Sequence, residues 1–258
     1  MKELENKNAV ITGARTGICR AVVEAFAEEG CNVWAVVHRD DEVFKSDMNA
    51  VAQRCGVWIK IVNINLEDEE DIKRGMREIT SEKLSIDILI NGAGITSPSR
   101  LIAMTSLKEM HRVMQVNFFA AVQLAQLVSK VMLRQRRGSI INIASIAGID
   151  GDLSQLEYGA SKAALICATK KMAYEWGDYG IRVNAVAPGI IDTKMLGEME
   201  SQVVEELIRK TSLHRAGKPS EIAQLCVFLG SDKSSYISSE TIRIDGGGTN
   251  FVSTFKRQ

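Results

Sequence analysis

Asn8-Ala9-Val10-Ile11-Thr12-Gly13-Ala14-Arg15-Thr16-Gly17-Ile18-Cys19 decides the fold. Its first five residues form a short, largely apolar run, and the stretch after Gly17 (ICRAVVEAFAEEG, closing at Gly30) has the apolar spacing of a helix. A strand that passes into a helix through two glycines is a βα unit. Glycine supplies backbone conformations and a close approach that a Cβ would block. The helix amino terminus then offers unpaired N–H groups and the positive end of its dipole to a phosphate. Such a turn also serves as a plain tight connection, but at the start of a βαβ unit it points to nucleotide binding through Gly13, Arg15, Thr16, Gly17 and Ile18.

The same alternation continues outward from this turn. Strand-like runs at Asn32–Val37, Val57–Asn63, Asp87–Ile90, Ser139–Ile143, Arg182–Val186 and Thr241–Ile244 are separated by helical patterns. Those patterns lie at about Asp41–Arg54, Asp68–Ser81, Ser106–Arg134, Ser154–Trp176 and Ser220–Gly230. Strands joined through helices require right-handed crossovers and a parallel sheet covered on both faces. Near-continuous apolar strands fit a sheet buried on both sides. The expected fold is therefore α/β: one Rossmann-type, doubly wound domain over residues 1–258, with seven parallel strands and helices on both faces. Its ligand crevice is expected at the carboxyl ends of the strands.

Composition excludes several classes of function. The 258 residues hold 32 Lys plus Arg against 32 Asp plus Glu, so no excess positive charge favours nucleic acid. No uninterrupted apolar run approaches the roughly 20 residues that cross a bilayer, which argues against a membrane protein. The opening MKELENKNAV mixes charged and polar residues without a secretory pattern, and a cytoplasmic location is expected. Cys19, Cys31, Cys55, Cys167 and Cys226 form no Cys-x-x-Cys pair, and His38, His111 and His214 are the only histidines. No metal site is expected; most of the thiols should pack as small buried hydrophobes.

Two further clusters carry chemistry. After the second strand, His38 and Arg39 precede the first acid, Asp40. An acid at that place binds the ribose hydroxyls of NAD, whereas a base accommodates the extra phosphate of NADP. A guanidinium suits phosphate through its planar fork of donors, and Arg15 adds a second one. NADP(H) is thus favoured and NAD(H) remains open, the competing reading being that Arg39 pairs with Asp40 or Asp41. The second cluster is Tyr158-Gly159-Ala160-Ser161-Lys162, which puts Tyr158 and Lys162 on one helix face. A free phenol titrates near pH ~10, too high for efficient proton transfer at neutrality, and a nearby ammonium lowers that value. Ser145, just beyond a strand, can hold a carbonyl oxygen, or can simply cap a turn.

Taken together, these motifs resemble the classical short-chain dehydrogenases/reductases over about Lys7 to Gly248. The resemblance rests on Thr12–Gly17, Asn91-Gly92-Ala93-Gly94, Asn117, Ser145, Tyr158-x-x-x-Lys162 and Pro188-Gly189. It implies a catalytic tetrad of Asn117, Ser145, Tyr158 and Lys162. Tyr158 is then the general acid in reduction and the base in oxidation, and Ser145 holds the reacting oxygen. Lys162 binds the nicotinamide ribose, and Asn117 holds a relay water. The resemblance also implies that Asn65 and Leu66 contact adenine and that Asn91, with Gly92, Ala93 and Gly94, braces the sheet and lines the adenosine side. Pro188, Gly189, Ile191 and Thr193 would fix the carboxamide. The chain departs from the pattern at Cys19, where the glycine turn has its third glycine, at Gly92, where a second asparagine is common, and at Asn65, usually aspartate.

Among such enzymes the chain is similar to bacterial 3-oxoacyl-carrier-protein reductases, which implies a carbonyl or alcohol substrate on an acyl-carrier protein and a homotetramer. Arg134, Arg136 and Arg137 are candidate grips for the acidic carrier, although Tyr179 stands where a base is expected and the arginines also suit a helix carboxyl end. Residues 190–218 are the expected substrate lid, made partly apolar by Met195, Leu196 and Met199. That lid suits an acyl, steroid or cyclic ketone, and leaves a steroid, polyol or cyclic-ketone dehydrogenase as an alternative. A catalytically silent NADP-binding regulatory protein of the same fold is the alternative from another class. An epimerase of the extended family would need a longer carboxyl-terminal domain.

Overall fold

A computed structural model of the chain describes residues 2–96, 101–151, 155–197 and 201–248. The strands are β1 (Asn8–Thr12), β2 (Asn32–Val37), β3 (Ile59–Asn63), β4 (Ile88–Asn91), β5 (Gly138–Ile143), β6 (Ile181–Pro188) and β7 (Thr241–Ile244). They form one sheet of order β3-β2-β1-β4-β5-β6-β7, parallel at every pairing. The expected seven-stranded, doubly wound sheet is present, and the order in which strands are added turns back between β1 and β4.

The major helices are α1 (Gly17–Glu28), α2 (Glu42–Cys55), α3 (Glu69–Ser81), α4 (Leu107–Met114) and α5 (Ala120–Gln135). They are followed by α6 (Ala147–Asp150), α7 (Leu156–Trp176), α8 (Lys194–Gly197), α9 (Ser201–Arg209) and α10 (Pro219–Gly230). Local chemistry sets their ends. Asp41 accepts from the Phe44 N–H at 2.8 Å to start α2, and Gly56, at φ +71°, closes it. Asp68 caps α3, and Pro219, whose ring has no N–H to waste, opens α10.

Each face of the sheet has its own core. On one, Phe26, Met48, Ile88, Ile141 and Ile222 join α1, α2 and α10 to the strands; on the other, Trp34, Ile72, Leu124, Met132 and Trp176 join α3, α5 and α7. Cys19, Cys31 and Cys226 are buried, whereas Cys55 is half-buried and Cys167 exposed.

Three features differ from the sequence expectations. The long helix over Leu107–Gln135 has the length and composition of a membrane span, although it contains no uninterrupted apolar run, and half of that stretch is buried against the protein. It is not uniform either: Gln115–Phe119 form a turn of π-helix between α4 and α5. Finally, the segment expected to be a lid contains α8 and α9, where no helix is expected from sequence. Met199, the Met195 side chain, Ser154 and the tail Phe251–Gln258 lie outside the described residues.

Candidate active site

The crevice opens at the carboxyl ends of β1 and β4, where the strand order reverses. Thr12 ends β1, and its Oγ1 donates to the Ile90 carbonyl (3.2 Å) while accepting from the N–H groups of Gly92 (3.0 Å) and Ala93 (3.1 Å). One hydroxyl thus ties the glycine turn to the Asn91–Gly94 loop. Gly13, at φ +73°, lies directly against that loop, and a Cβ on it would stand 2.9 Å from Ala93 Cα. Thr16 is extended ahead of α1 and its side chain caps no N–H. The first-turn N–H groups of α1 therefore keep their capacity for an anion, and the turn fits a dinucleotide diphosphate. Gly17, at φ +60°, opens α1, with Ile18 half-buried beside it.

Beyond β2, His38 and Arg39 are exposed. The expected competitor for Arg39 is otherwise engaged: Asp40 pairs with Lys45 at 3.2 Å, and Asp41 pairs with Arg15. Among the described residues the Arg39 guanidinium has no ion pair. Arg15, by contrast, spends its charge on Asp41 and donates to the Arg39 carbonyl at 3.5 Å, so it adds less positive field than the sequence suggests.

After β3, Asn65 Oδ1 accepts from the Glu67 N–H (3.1 Å) and its own N–H donates to Asp71 (2.7 Å). The Leu66 carbonyl accepts from Gln115 Nε2 at 3.4 Å, linking this loop to the π turn. Asn91 is buried and braces the sheet: its Nδ2 donates to the Ala121 carbonyl (3.1 Å) and to Asn142 Oδ1 (2.9 Å), and Asn142 donates to Thr169 (2.8 Å).

The four positions expected to form a tetrad lie on α7, in the π turn and just past the end of β5. Lys162 is 3% exposed; its Nζ donates to the Ile143 carbonyl at 2.7 Å and lies 5.8 Å from the Tyr158 ring centroid. Burial pushes the Lys162 ammonium down to about 8. Asn117 sits inside the π turn, where the extra residue per turn rotates its amide inward. Its Nδ2 donates to the Ile95 carbonyl (2.9 Å) and to Ser161 Oγ (3.0 Å), and its Oδ1 accepts from the Ile95 N–H (2.8 Å). Ser161 Oγ donates to the Tyr158 carbonyl at 2.7 Å, which joins the Asn117 amide to the Tyr158 backbone. A Cβ on Gly94 would stand 3.4 Å from both Asn117 Oδ1 and Lys162 Nζ, so glycine there keeps the route between them open.

Two residues past Ile143, Ser145 Oγ accepts from the Ala147 N–H at 3.1 Å. The hydroxyl therefore serves the turn that leads into α6, and among the described residues its O–H proton has no acceptor. Pro188 ends β6, and its carbonyl accepts from the Ile146 N–H at 3.1 Å, fastening this strand to the Ser145 loop. A Cβ on Gly189 would meet Asp245 at 2.6 Å, Ile191 is buried and bridges Gly217, and Thr193 lies against Gly17. The segment expected to be a lid thus begins beside the glycine turn. Sequence reasoning missed the bracing by Thr12 and Ser161. The signal for Thr12 was its place between strand and glycine turn; for Ser161, its place on the Tyr158 helix one residue before Lys162.

The arginine cluster sits elsewhere. Arg136 lies over the Tyr179 ring at 5.5 Å and Arg137 pairs with Asp87 at 3.2 Å. Tyr158 is near the start of α7 and Tyr179 just past its end, so about 30 Å of helix separates these arginines from the crevice of the same chain. The candidate carrier grip thus lies at the far end of α7 from Tyr158 in the same chain. A cavity of ≈ 450 Å³ also opens at that far edge, lined by Lys7, Asp87, Arg137 and Arg182 among others, well away from Tyr158.

A parallel-sheet domain with this turn and this Tyr–Lys helix defines a class of nicotinamide-dependent oxidoreductases. A family model described as "Enoyl-(Acyl carrier protein) reductase" matches residues 13–249. The 3-oxoacyl-[acyl-carrier-protein] reductase of Thermotoga maritima is 38% identical over 247 residues, which cover 95% of this chain and 98% of that protein. A solved 3-oxoacyl-[acyl-carrier protein] reductase of Brucella melitensis superposes with a TM-score of 0.86 at 29% identity, covering 95% of this chain and 92% of that one. A solved protein of Agrobacterium tumefaciens, provisionally assigned as a gluconate dehydrogenase, reaches 0.90 at 26% identity, with coverages of 95% and 96%. The chain belongs to the short-chain dehydrogenase/reductase family. It is an NAD(P)-dependent oxidoreductase that interconverts a carbonyl and an alcohol.

Proposed function

We propose that the chain, acting as one domain with residues 190–218 as its lid, reduces 3-oxoacyl thioesters at the expense of NADPH. The observation that carries the cofactor choice is Arg39, exposed at the end of β2 with neither neighbouring acid paired to it. A 2′-phosphate placed there meets a guanidinium fork. The nicotinamide, when bound, supplies the hydride. Gly13 and the α1 amino terminus hold the diphosphate, Asn65 and Leu66 border the adenine, and Pro188, Gly189, Ile191 and Thr193 orient the carboxamide. Ser145 donates its hydroxyl hydrogen to the substrate oxygen while Tyr158 gives that oxygen its phenolic proton. Lys162 stabilises the resulting phenolate, and Asn117 positions the relay by which Lys162 is reprotonated.

The similarity to acyl-carrier reductases supports a thioester substrate on a pantetheine arm, and we assign a cytoplasmic homotetramer on the same basis. Phe119 and Tyr174 are 52% and 74% exposed on the outer faces of the two long helices, as an assembly surface requires. Carrier docking on Arg136 would then serve a neighbouring subunit's crevice.

The family model's description and the relatives' names point to different bonds, C=C and C=O. A 340 nm assay with NADPH separates them. Acetoacetyl thioester should be reduced, crotonyl thioester should be inert, and gluconate with NADP should give no signal. Faster turnover of crotonyl thioester or of gluconate would overturn the substrate assignment, and silence with every pair would favour a non-catalytic dinucleotide binder.

A further inference from the structure

The two departures of the glycine motifs, Cys19 and Gly92, meet in space. A Cβ on Gly92 would lie 2.0 Å from Cys19 Sγ, far inside contact distance. Gly92 is not among the residues with positive φ, so its backbone accepts any side chain and only space forbids one. The occupant of that space is the thiol. Cys19 is 3% exposed, and burial raises its thiol to about 12, so it is protonated at any working pH and acts as a small apolar plug. Lys162 is within electrostatic reach of it.

The plug has mechanical neighbours on both sides. Cys19 belongs to the first turn of α1, whose N–H groups face the diphosphate position. Gly92 heads the loop in which Ala93 touches Gly13 and Gly94 borders Asn117 and Lys162. Moving residue 92 away from the sulfur therefore moves the walls of the cofactor crevice.

We infer that Cys19 and Gly92 are a compensating pair of positioning residues: the sulfur fills the volume that a side chain at 92 would take, and together they set the spacing between the glycine turn and the Ala93–Gly94 loop, and hence the affinity for the dinucleotide. The inference rests on the crevice being the NADP site. Neither residue alone shows it, because cysteine at 19 reads as a tolerated swap and glycine at 92 as a small loss.

The test is a double-mutant cycle on the full chain: wild type, Gly92→Ala, Cys19→Ala and the double variant, with NADPH dissociation constants read by cofactor fluorescence. Gly92→Ala should weaken NADPH binding about tenfold or more in the cysteine background. The same change made on Cys19→Ala should cost about threefold or less. A small residue of cost is expected there, because the added Cβ still meets Ile143 Cγ1 and the Thr12 carbonyl at 3.3 Å. The loss should appear in the NADPH dissociation constant and in KM for the cofactor more than in kcat. If Gly92→Ala folds only when Cys19 is also alanine, the NADPH affinity of Cys19→Ala decides: a loss of about threefold or more supports the pair, and an unchanged value overturns it. Equal losses in both backgrounds, or a fall in melting temperature without any change in NADPH affinity, would overturn it. Failure of the wild type itself to bind NADPH would instead reject the cofactor reading on which the pair depends.

Discussion

Arg39 and Lys162 illustrate how one side chain's surroundings decide what it does. Arg39 is available because Lys45 has taken Asp40 and Arg15 has taken Asp41. Arg39→Asp should therefore raise KM for NADPH by about tenfold to a hundredfold while changing KM for NADH little, in parallel initial-rate series; equal effects on both cofactors would remove the phosphate role. Lys162 is the opposite case, an ammonium buried beside the Tyr158 ring and donating to the Ile143 carbonyl. Its charged form is disfavoured by desolvation, which is why it titrates near 8. The rate of carbonyl reduction in the free enzyme should fall as pH rises through that value, since a neutral lysine no longer favours the phenolate. The pH profile of kcat/KM checks this, and Lys162→Met should lack that limb at a rate reduced throughout.

At the scale of elements, strand order and the major helices were legible because β-branched runs and 3.6-residue spacing are local signals. The π turn was not. Gln115–Phe119 read as continuous helix, and only the demands of tertiary contact, Asn117 reaching Ile95 and Ser161 together, select the wider turn. The short helices α6, α8 and α9 escaped for a related reason: helices of four to nine residues are held by packing rather than by propensity. The Thr12 bridge between β1 and the Asn91–Gly94 loop is also a long-range feature. Thr12→Val keeps the shape but leaves the Gly92 and Ala93 N–H groups without their acceptor. It should cost about 2–6 kcal/mol, at roughly 1–3 per unsatisfied buried donor, seen as a lower denaturation midpoint with an unchanged m-value. A loss under half a kcal/mol would show that solvent replaces the hydroxyl.

For the whole molecule, the class of fold could be read from the chain, together with the motifs on which the proposed tetrad rests. What could not be read was which polar groups were already committed: the Arg15–Asp41 pair, the Ser145 bond to Ala147 and the meeting of Cys19 with Gly92 depend on segments brought together by the sheet. Global stability carries a signature of the same burial. With Lys162 near 8 in the folded chain and near 10.5 when unfolded, the unfolded state binds more protons between those values. The contribution of this group to stability is therefore least below pH 8 and grows as pH rises towards 10.5, by about 3 kcal/mol at 1.36 per unit. Denaturant unfolding at pH 7.5 and 9.5 should show wild type gaining on Lys162→Met across that interval; parallel behaviour would mean that the ammonium is solvated.

The most direct measurement pairs turnover with cofactor binding in Tyr158→Phe, which removes one hydroxyl and keeps the ring. NADPH-dependent reduction of acetoacetyl thioester should fall about 10²- to 10⁴-fold, with the NADPH dissociation constant within about threefold of wild type. Turnover retained within a factor of about three, with binding intact, would mean that the proton comes from another group and would contradict the account.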